Sequence, residues 1–135
     1  MTDQVLPLVL VTGFEPFDDA VSNPSWDAAV VLARGWKETS EGANLAVARL
    51  PVAFGQVRDR LAALIEQYQP TIIIATGVAG GTARVRIERV ALNLADARLP
   101  DNDGDQPLDA PVIEGAPQAT LATIPVKVAL AACRA

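Results

Sequence analysis

The sequence contains no histidine. A Ser-His-Asp or Cys-His catalytic unit therefore cannot be completed within these 135 residues. Cysteine is nearly absent as well: Cys133 alone cannot close an intramolecular disulfide, and one thiol without an imidazole does not make a zinc site. Aromatic residues are 4% of the chain, no Lys or Arg cluster occurs, the net charge is −5 and the pI is near 4.6. Stacking platforms and phosphate-tracking grooves need aromatics and clustered cations, so no nucleic-acid partner is expected. Long apolar runs are missing too. Each is cut by Gly, Pro or a charge before the ~20 residues a bilayer crossing needs, so no membrane partner is expected. The N-terminus carries Asp3 and an apolar run of only residues 5–11, and the chain reads as cytoplasmic.

Half of the residues are hydrophobic, mostly Ala, Val, Leu and Ile, and the mean hydropathy is +0.25. That composition suits a single α/β domain over residues 1–135, with a parallel sheet buried under helices. Residues 5–11 predict a central strand running into the Thr12-Gly13 turn, and Phe14 and Phe17 follow in a loop at the strand's C-terminal end, where open α/β sheets bind ligands. Asn23-Pro24 predicts a helix start, with Asn as N-cap, and the helix runs over 24–34 before the Gly35 stop. A polar connection over 35–43 leads to a strand at 45–52. The spacing of Val57, Leu61, Leu64, Ile65 and Tyr68 predicts a helix over 56–68, stopped by Pro70. The β-branched run 71–76 predicts a strand buried on both faces.

Residues 77–93, GVAGGTARVRIERVALN, form a glycine-rich turn leading into an apolar run that carries Glu88. Surrounded by Val85, Ile87, Val90 and Leu92, that carboxylate is expected to be buried, and so to be either ion-paired with Arg84, Arg86 or Arg89 or a working group. The apolar positions from 85 to 94 change parity at Glu88-Arg89. This fits a strand with a bulge there, or a strand covered on both faces. Residues 100–123 read as a long loop and 126–135 as a helix with Cys133 on its apolar face. An EF-hand reading of DNDGD fails, because the loop would need Gly at Gln106 and Glu at Val112.

Four motifs in order, TGFEPF with SNPSW, then GVAGGTARVRIERVALN, then DARLPDNDGDQP, resemble the pyrrolidone-carboxylate peptidases (pyroglutamyl-peptidase I). The resemblance covers nearly the whole chain. It implies an open α/β/α sandwich and a cysteine peptidase without metal or organic cofactor that releases N-terminal pyroglutamate from peptides. It carries the catalytic glutamate onto Glu88, the pocket onto Phe14, Phe17 and Asn23, and an active-site neighbour onto Arg98. A flat, uncharged lactam suits an apolar slot between aromatic faces, and an amide such as Asn23 offers it a donor and an acceptor. Local sequence alone favours an N-cap for Asn23 and core packing for the two Phe; counting the motif favours the pocket for the Phe pair. Arg86 stands where the family usually has Ser or Thr, and Val78 where some members have Gln. The family's nucleophilic Cys and its His come after the positions covered here, so Cys133 does not match the nucleophile and the chain reads as an N-terminal portion, inactive alone, with a sheet incomplete at its C-terminal side. An incomplete sheet edge favours self-association into a homo-oligomer. The competing class is a small-molecule or protein-binding α/β domain without catalysis. A nucleotide-dependent enzyme built on the Gly77 turn is a third, although that turn has neither a P-loop Lys nor GxGxxG spacing.

Overall fold

A computed structural model of the chain describes residues 5–37 and 42–135. The chain divides into two compact units, one running through Ala79 together with Pro100–Asp105, the other comprising Gly80–Leu99 and Gln106–Ala135. Residues 38–41 of the expected polar connection lie outside the described residues.

The first unit holds β1 (Leu8–Phe14), α1 (Pro24–Gly35), β2 (Asn44–Leu50), α2 (Phe54–Tyr68) and β3 (Ile72–Ala75). Its sheet is parallel in the order β2-β1-β3, with Leu8 opposite Asn44 through Phe14 opposite Leu50 on one side and Val9 opposite Ile72 through Thr12 opposite Ala75 on the other. The expected central strand is therefore β1. Because side chains alternate along a strand, Val9 and Val11 pack with Ala29 and Trp26 of α1, while Leu10 and Phe14 pack with Leu61 and Leu64 of α2. The two helices thus cover opposite faces. Right-handed crossovers require this, since the step from β1 to β2 and the step from β2 back to β3 run in opposite directions across the sheet. Leu10 has no exposed surface, a burial that contributes about 2–3 kcal/mol of transfer free energy.

The helix α1 begins at Pro24 as its Asn-Pro start predicts. The start of α2 lies two residues ahead of the expected one, because its N-cap Ala53 has no side-chain acceptor and a distant group takes the role: Asp101 Oδ2 accepts the Phe54 N–H at 2.6 Å. At the other end Gln69, at φ 45°, closes the helix in the left-handed region. The expectation for β3 is corrected. Ile72, Ile73 and Ile74 are 41%, 38% and 42% exposed, since among the described residues neither core cluster extends over this strand and its second edge is unpaired.

The second unit holds β4 (Val90–Leu92), β5 (Ala119–Leu121) and α3 (Val126–Arg134). The strands β4 and β5 are antiparallel, with Val90 opposite Leu121 and Leu92 opposite Ala119. The expected strand over 85–94 is thus shortened to three residues, and the expected loop over 100–123 contains β5. Asn93 explains the return. Its Nδ2 donates to the carbonyls of Ile113 and Ala116, its Oδ1 accepts the Ile113 N–H, and its own N–H donates to Gln118. This folds the 113–118 turn so that residues 119–121 reach β4. Glu88 and Arg89 precede the ladder, so neither a bulge nor a doubly covered strand is found there. No residue of α3 is buried, and Cys133 is exposed rather than in a core. No helix among the described residues is long and apolar enough to cross a membrane.

Candidate active site

Phe14 closes β1, and its surroundings follow from Gly13. A Cβ on Gly13 would lie 2.6 Å from the Ser25 carbonyl oxygen and 2.7 Å from Trp26 Cα, so only glycine lets the first turn of α1 abut β1. With the helix that close, the buried Ser25 Oγ accepts the Phe14 N–H at 2.9 Å. Ser25 Oγ in turn donates to Asn23 Oδ1 at 2.7 Å, which also accepts the Ser25 N–H at 3.1 Å. Asn23 Nδ2 donates to the Glu15 carbonyl at 2.9 Å. Asn23 is therefore the N-cap that local sequence favours, 3% exposed, with its oxygen fully engaged and one N–H uncommitted. The pairing of donor and acceptor that a lactam would use is not free at this side chain; a single donor is.

The loop after Phe14 turns sharply. Asp18 and Asp19 both have positive φ, 53° and 58°, and the Ala20 N–H donates to the Phe17 carbonyl at 3.1 Å. Two successive left-handed residues make a type I′ turn, for which Asp is among the better-tolerated side chains. Phe14 and Phe17 are both half-buried on either side of Glu15-Pro16. The Phe14 ring packs on the α2 side of the sheet and lies beside Gly77, whose Cβ position is 3.8 Å from it. Gly77 follows Thr76, whose N–H and hydroxyl both donate to the Thr12 carbonyl, so the C-terminal ends of β1 and β3 are tied together under the ring.

The DNDGD segment joins this loop. Asp101 Oδ1 accepts the N–H groups of Asp103 and Asp105, and Gly104, at φ 88°, closes the turn by donating to the Asp101 carbonyl. Desolvation pushes the Asp101 carboxyl up, but the backbone N–H groups of Phe54, Asp105, Asp103 and Gly104 together outweigh it and hold it below the usual carboxylate range. Asn102 Nδ2 donates to Glu15 Oε1 and to the Pro16 carbonyl, both at 3.0 Å, and Glu15 Oε1 also accepts the Val52 N–H at 3.0 Å. No group of three or more acidic or thiol side chains able to hold a metal ion occurs among the described residues.

Phe14, Phe17 and Asn23 thus share one junction in the first unit, whereas Glu88 and Arg98 belong to the second. The expected burial of Glu88 is overturned. Its side chain is 74% exposed, 3.8 Å from Arg86 Nε in the one ion pair among the described residues, and Val85 nearby is 89% exposed. An exposed pair of this kind stabilises by about 0–1 kcal/mol. Arg98 is exposed. Sequence reasoning missed Glu15, Ser25, Asp101 and Asn102. A signal for Asp101 was present, because an Asp followed by Gly three residues on favours a side-chain-bonded turn; the long-range partners left none.

A family model described as pyroglutamyl peptidase matches residues 8–135. The chain belongs to the pyroglutamyl peptidase family. It is 46% identical over 129 residues to a pyrrolidone-carboxylate peptidase of Clavibacter michiganensis, covering 96% of this chain and 59% of that one. To the Thermococcus kodakarensis pyrrolidone-carboxylate peptidase it is 48% identical over 126 residues, covering 93% and 59%. Among solved structures, a mutant pyrrolidone carboxyl peptidase from Pyrococcus furiosus superposes with TM-score 0.87 at 39% identity, covering 94% of this chain and 60% of that one. Pyroglutamyl peptidase I of Bacillus amyloliquefaciens gives 0.87 at 35% identity, covering 95% and 61%. The α/β fold agrees with that membership, and the chain spans about three-fifths of the length of the relatives it matches.

Proposed function

We propose that this pyroglutamyl peptidase family chain supplies the substrate-recognising part of a cysteine peptidase that removes pyroglutamate from peptide N-termini. The observation that carries the reading is the junction at the C-terminal end of the central strand, where Asn23 Nδ2 donates to the carbonyl of Glu15, between Phe14 and Phe17 in the chain, and keeps its other N–H uncommitted. The Phe14 and Phe17 rings would hold the flat lactam between apolar faces, and Asn23 would donate one hydrogen bond to the lactam carbonyl. Neither contact needs an ammonium group, which pyroglutamate lacks. The nucleophilic thiolate and the imidazole of the family's mechanism are contributed by positions outside these 135 residues.

In that mechanism the thiolate attacks the pyroglutamyl carbonyl carbon, the imidazolium returns its proton to the leaving amine, and water then hydrolyses the thioester. Glu88 orients the imidazole, with Arg98 as a neighbour, and the reaction needs no cofactor. Both compact units are parts of one peptidase domain, which works in the cytoplasm and self-associates. The test is release of pyroglutamate from a fluorogenic pyroglutamyl amide. The 135-residue chain alone is expected to release none, and a chain extended to the length of its relatives to release it until its thiols are alkylated. Turnover by the 135-residue chain, or none by the extended one, would overturn the reading.

A further inference from the structure

The segment between the two phenyl rings is tied down at every carbonyl. The Glu15 carbonyl accepts from Asn23 Nδ2, the Pro16 carbonyl from Asn102 Nδ2, and the Phe17 carbonyl from the Ala20 N–H. The Glu15 N–H donates to the Leu50 carbonyl at 3.0 Å. Its carboxylate takes two N–H donors on a single oxygen, from Val52 and Asn102. The Asn102 N–H then donates back to the Val52 carbonyl at 3.0 Å, closing a ring of three residues drawn from three separate parts of the chain.

We infer that Glu15 and Asn102 are positioning residues for the lactam pocket, setting the separation and tilt of the Phe14 and Phe17 rings. The inference rests on the pocket reading above. Residues 14–17 are only half-buried and Pro16 has no N–H to donate, so among the bonds to this segment those from Asn102 alone hold the Glu15 side chain and the Pro16 carbonyl together. Asn102 commits both Nδ2 protons, one on each side of the Glu15-Pro16 peptide, so it locks the side chain and the backbone at once. Hydrogen bonds to a carboxylate are stronger than those between neutral groups, which suits a half-buried segment that must keep its shape. Asp101 anchors the donor in turn, since its bonds to Phe54, Asp103 and Asp105 shape the turn from which Asn102 projects.

The test uses the 135-residue chain, 2-pyrrolidone as the probe and 4-fluorophenylalanine labelling, which gives three fluorine signals because the chain has three Phe. Asn102→Ala removes both bonds; Glu15→Gln keeps one acceptor for the Val52 N–H and leaves the Asn102 backbone bond in place. With far-UV circular dichroism unchanged, Asn102→Ala is expected to move the Phe14 and Phe17 signals toward their unfolded positions and to weaken 2-pyrrolidone binding about tenfold, the scale of one charge-assisted bond. Glu15→Gln is expected to do the same in smaller measure. Folded variants with unmoved Phe14 and Phe17 signals would overturn the inference. If those signals move while the unsubstituted chain binds no 2-pyrrolidone, the positioning stands and the pocket reading falls. If affinity stays constant while the signals move, the positioning of the rings does not govern recognition and the inference is overturned.

Discussion

Glu15 and Asn102, 87 positions apart in the chain, meet at 3.0 Å between a carboxylate oxygen and an amide nitrogen. Through that contact the DNDGD turn is joined to the loop that carries both candidate pocket aromatics. The loop's geometry is therefore a property of the folded unit rather than of its local sequence, and the helix next to it shares the dependence, since Asp101 caps α2 from the same turn.

Gly13→Ala should destabilise the chain by about 1–3 kcal/mol or more, because the new Cβ meets the backbone of Ser25 and Trp26, which cannot swing aside as a side chain could. Gly35→Ala is the matched control. Nothing lies within 4 Å of its Cβ position, and at the end of a helix the change should be neutral or stabilising by up to about 1 kcal/mol. Urea unfolding of the two variants reads the difference, and equal midpoints would sink the claim that β1 and α1 need this glycine.

Much of the first unit is legible in the sequence because its signals are local. The Asn23-Pro24 start, the apolar face of α2 and the apolar run that becomes β1 each depend on neighbours a few residues apart. What is not legible depends on distant partners. The first turn of α2 is capped from Asp101, and β5 exists because Asn93 folds the 113–118 turn back toward β4. Glu88 was misjudged for a related reason: apolar neighbours in sequence imply burial only if another layer covers them, and β4 and β5 have no buried residue. At Asn23 the cap and the pocket readings looked exclusive, yet the structure leaves one of its N–H groups free while using the rest of the amide as the cap.

Thr12→Val should stabilise the chain by about 1 kcal/mol. Thr12 is fully buried in the central strand, and its Oγ1 is the one buried side-chain polar atom without a partner among the described residues. Valine keeps nearly the same shape and removes a hydroxyl that has given up its bonds to water. A lower thermal midpoint for the variant would mean that the hydroxyl has an undetected partner.

Acid should weaken the α2 cap. The Asp101 carboxyl titrates below its ordinary value in the folded chain, so the stability it contributes is complete above the unfolded value near 4 and is lost as the pH falls through the folded one. Asp101→Asn should therefore be less stable than the parent at neutral pH, because an amide cannot present acceptors both to Phe54 and to the Asp103 and Asp105 N–H groups. The gap between the two proteins should close as the pH drops below that range. Urea midpoints measured from pH 7 to pH 2 check this, and a gap that stays constant would remove the carboxylate from the account.

Glu88→Gln separates a structural carboxylate from a catalytic one. In the 135-residue chain Glu88 is well exposed and its contact with Arg86 is long, so removing the charge should change stability by no more than about 0.5 kcal/mol. In a chain extended to the length of its relatives, the same substitution should lower kcat by about 10³–10⁴, because an imidazole without its orienting carboxylate is left in the wrong tautomer. KM should change little, since the proposed lactam contacts come from Phe14, Phe17 and Asn23. Steady-state kinetics on the extended protein, beside urea unfolding of both lengths, reads the two effects separately. A large stability loss in the short chain would make Glu88 a structural ion, and unchanged kcat in the long one would take it out of the mechanism.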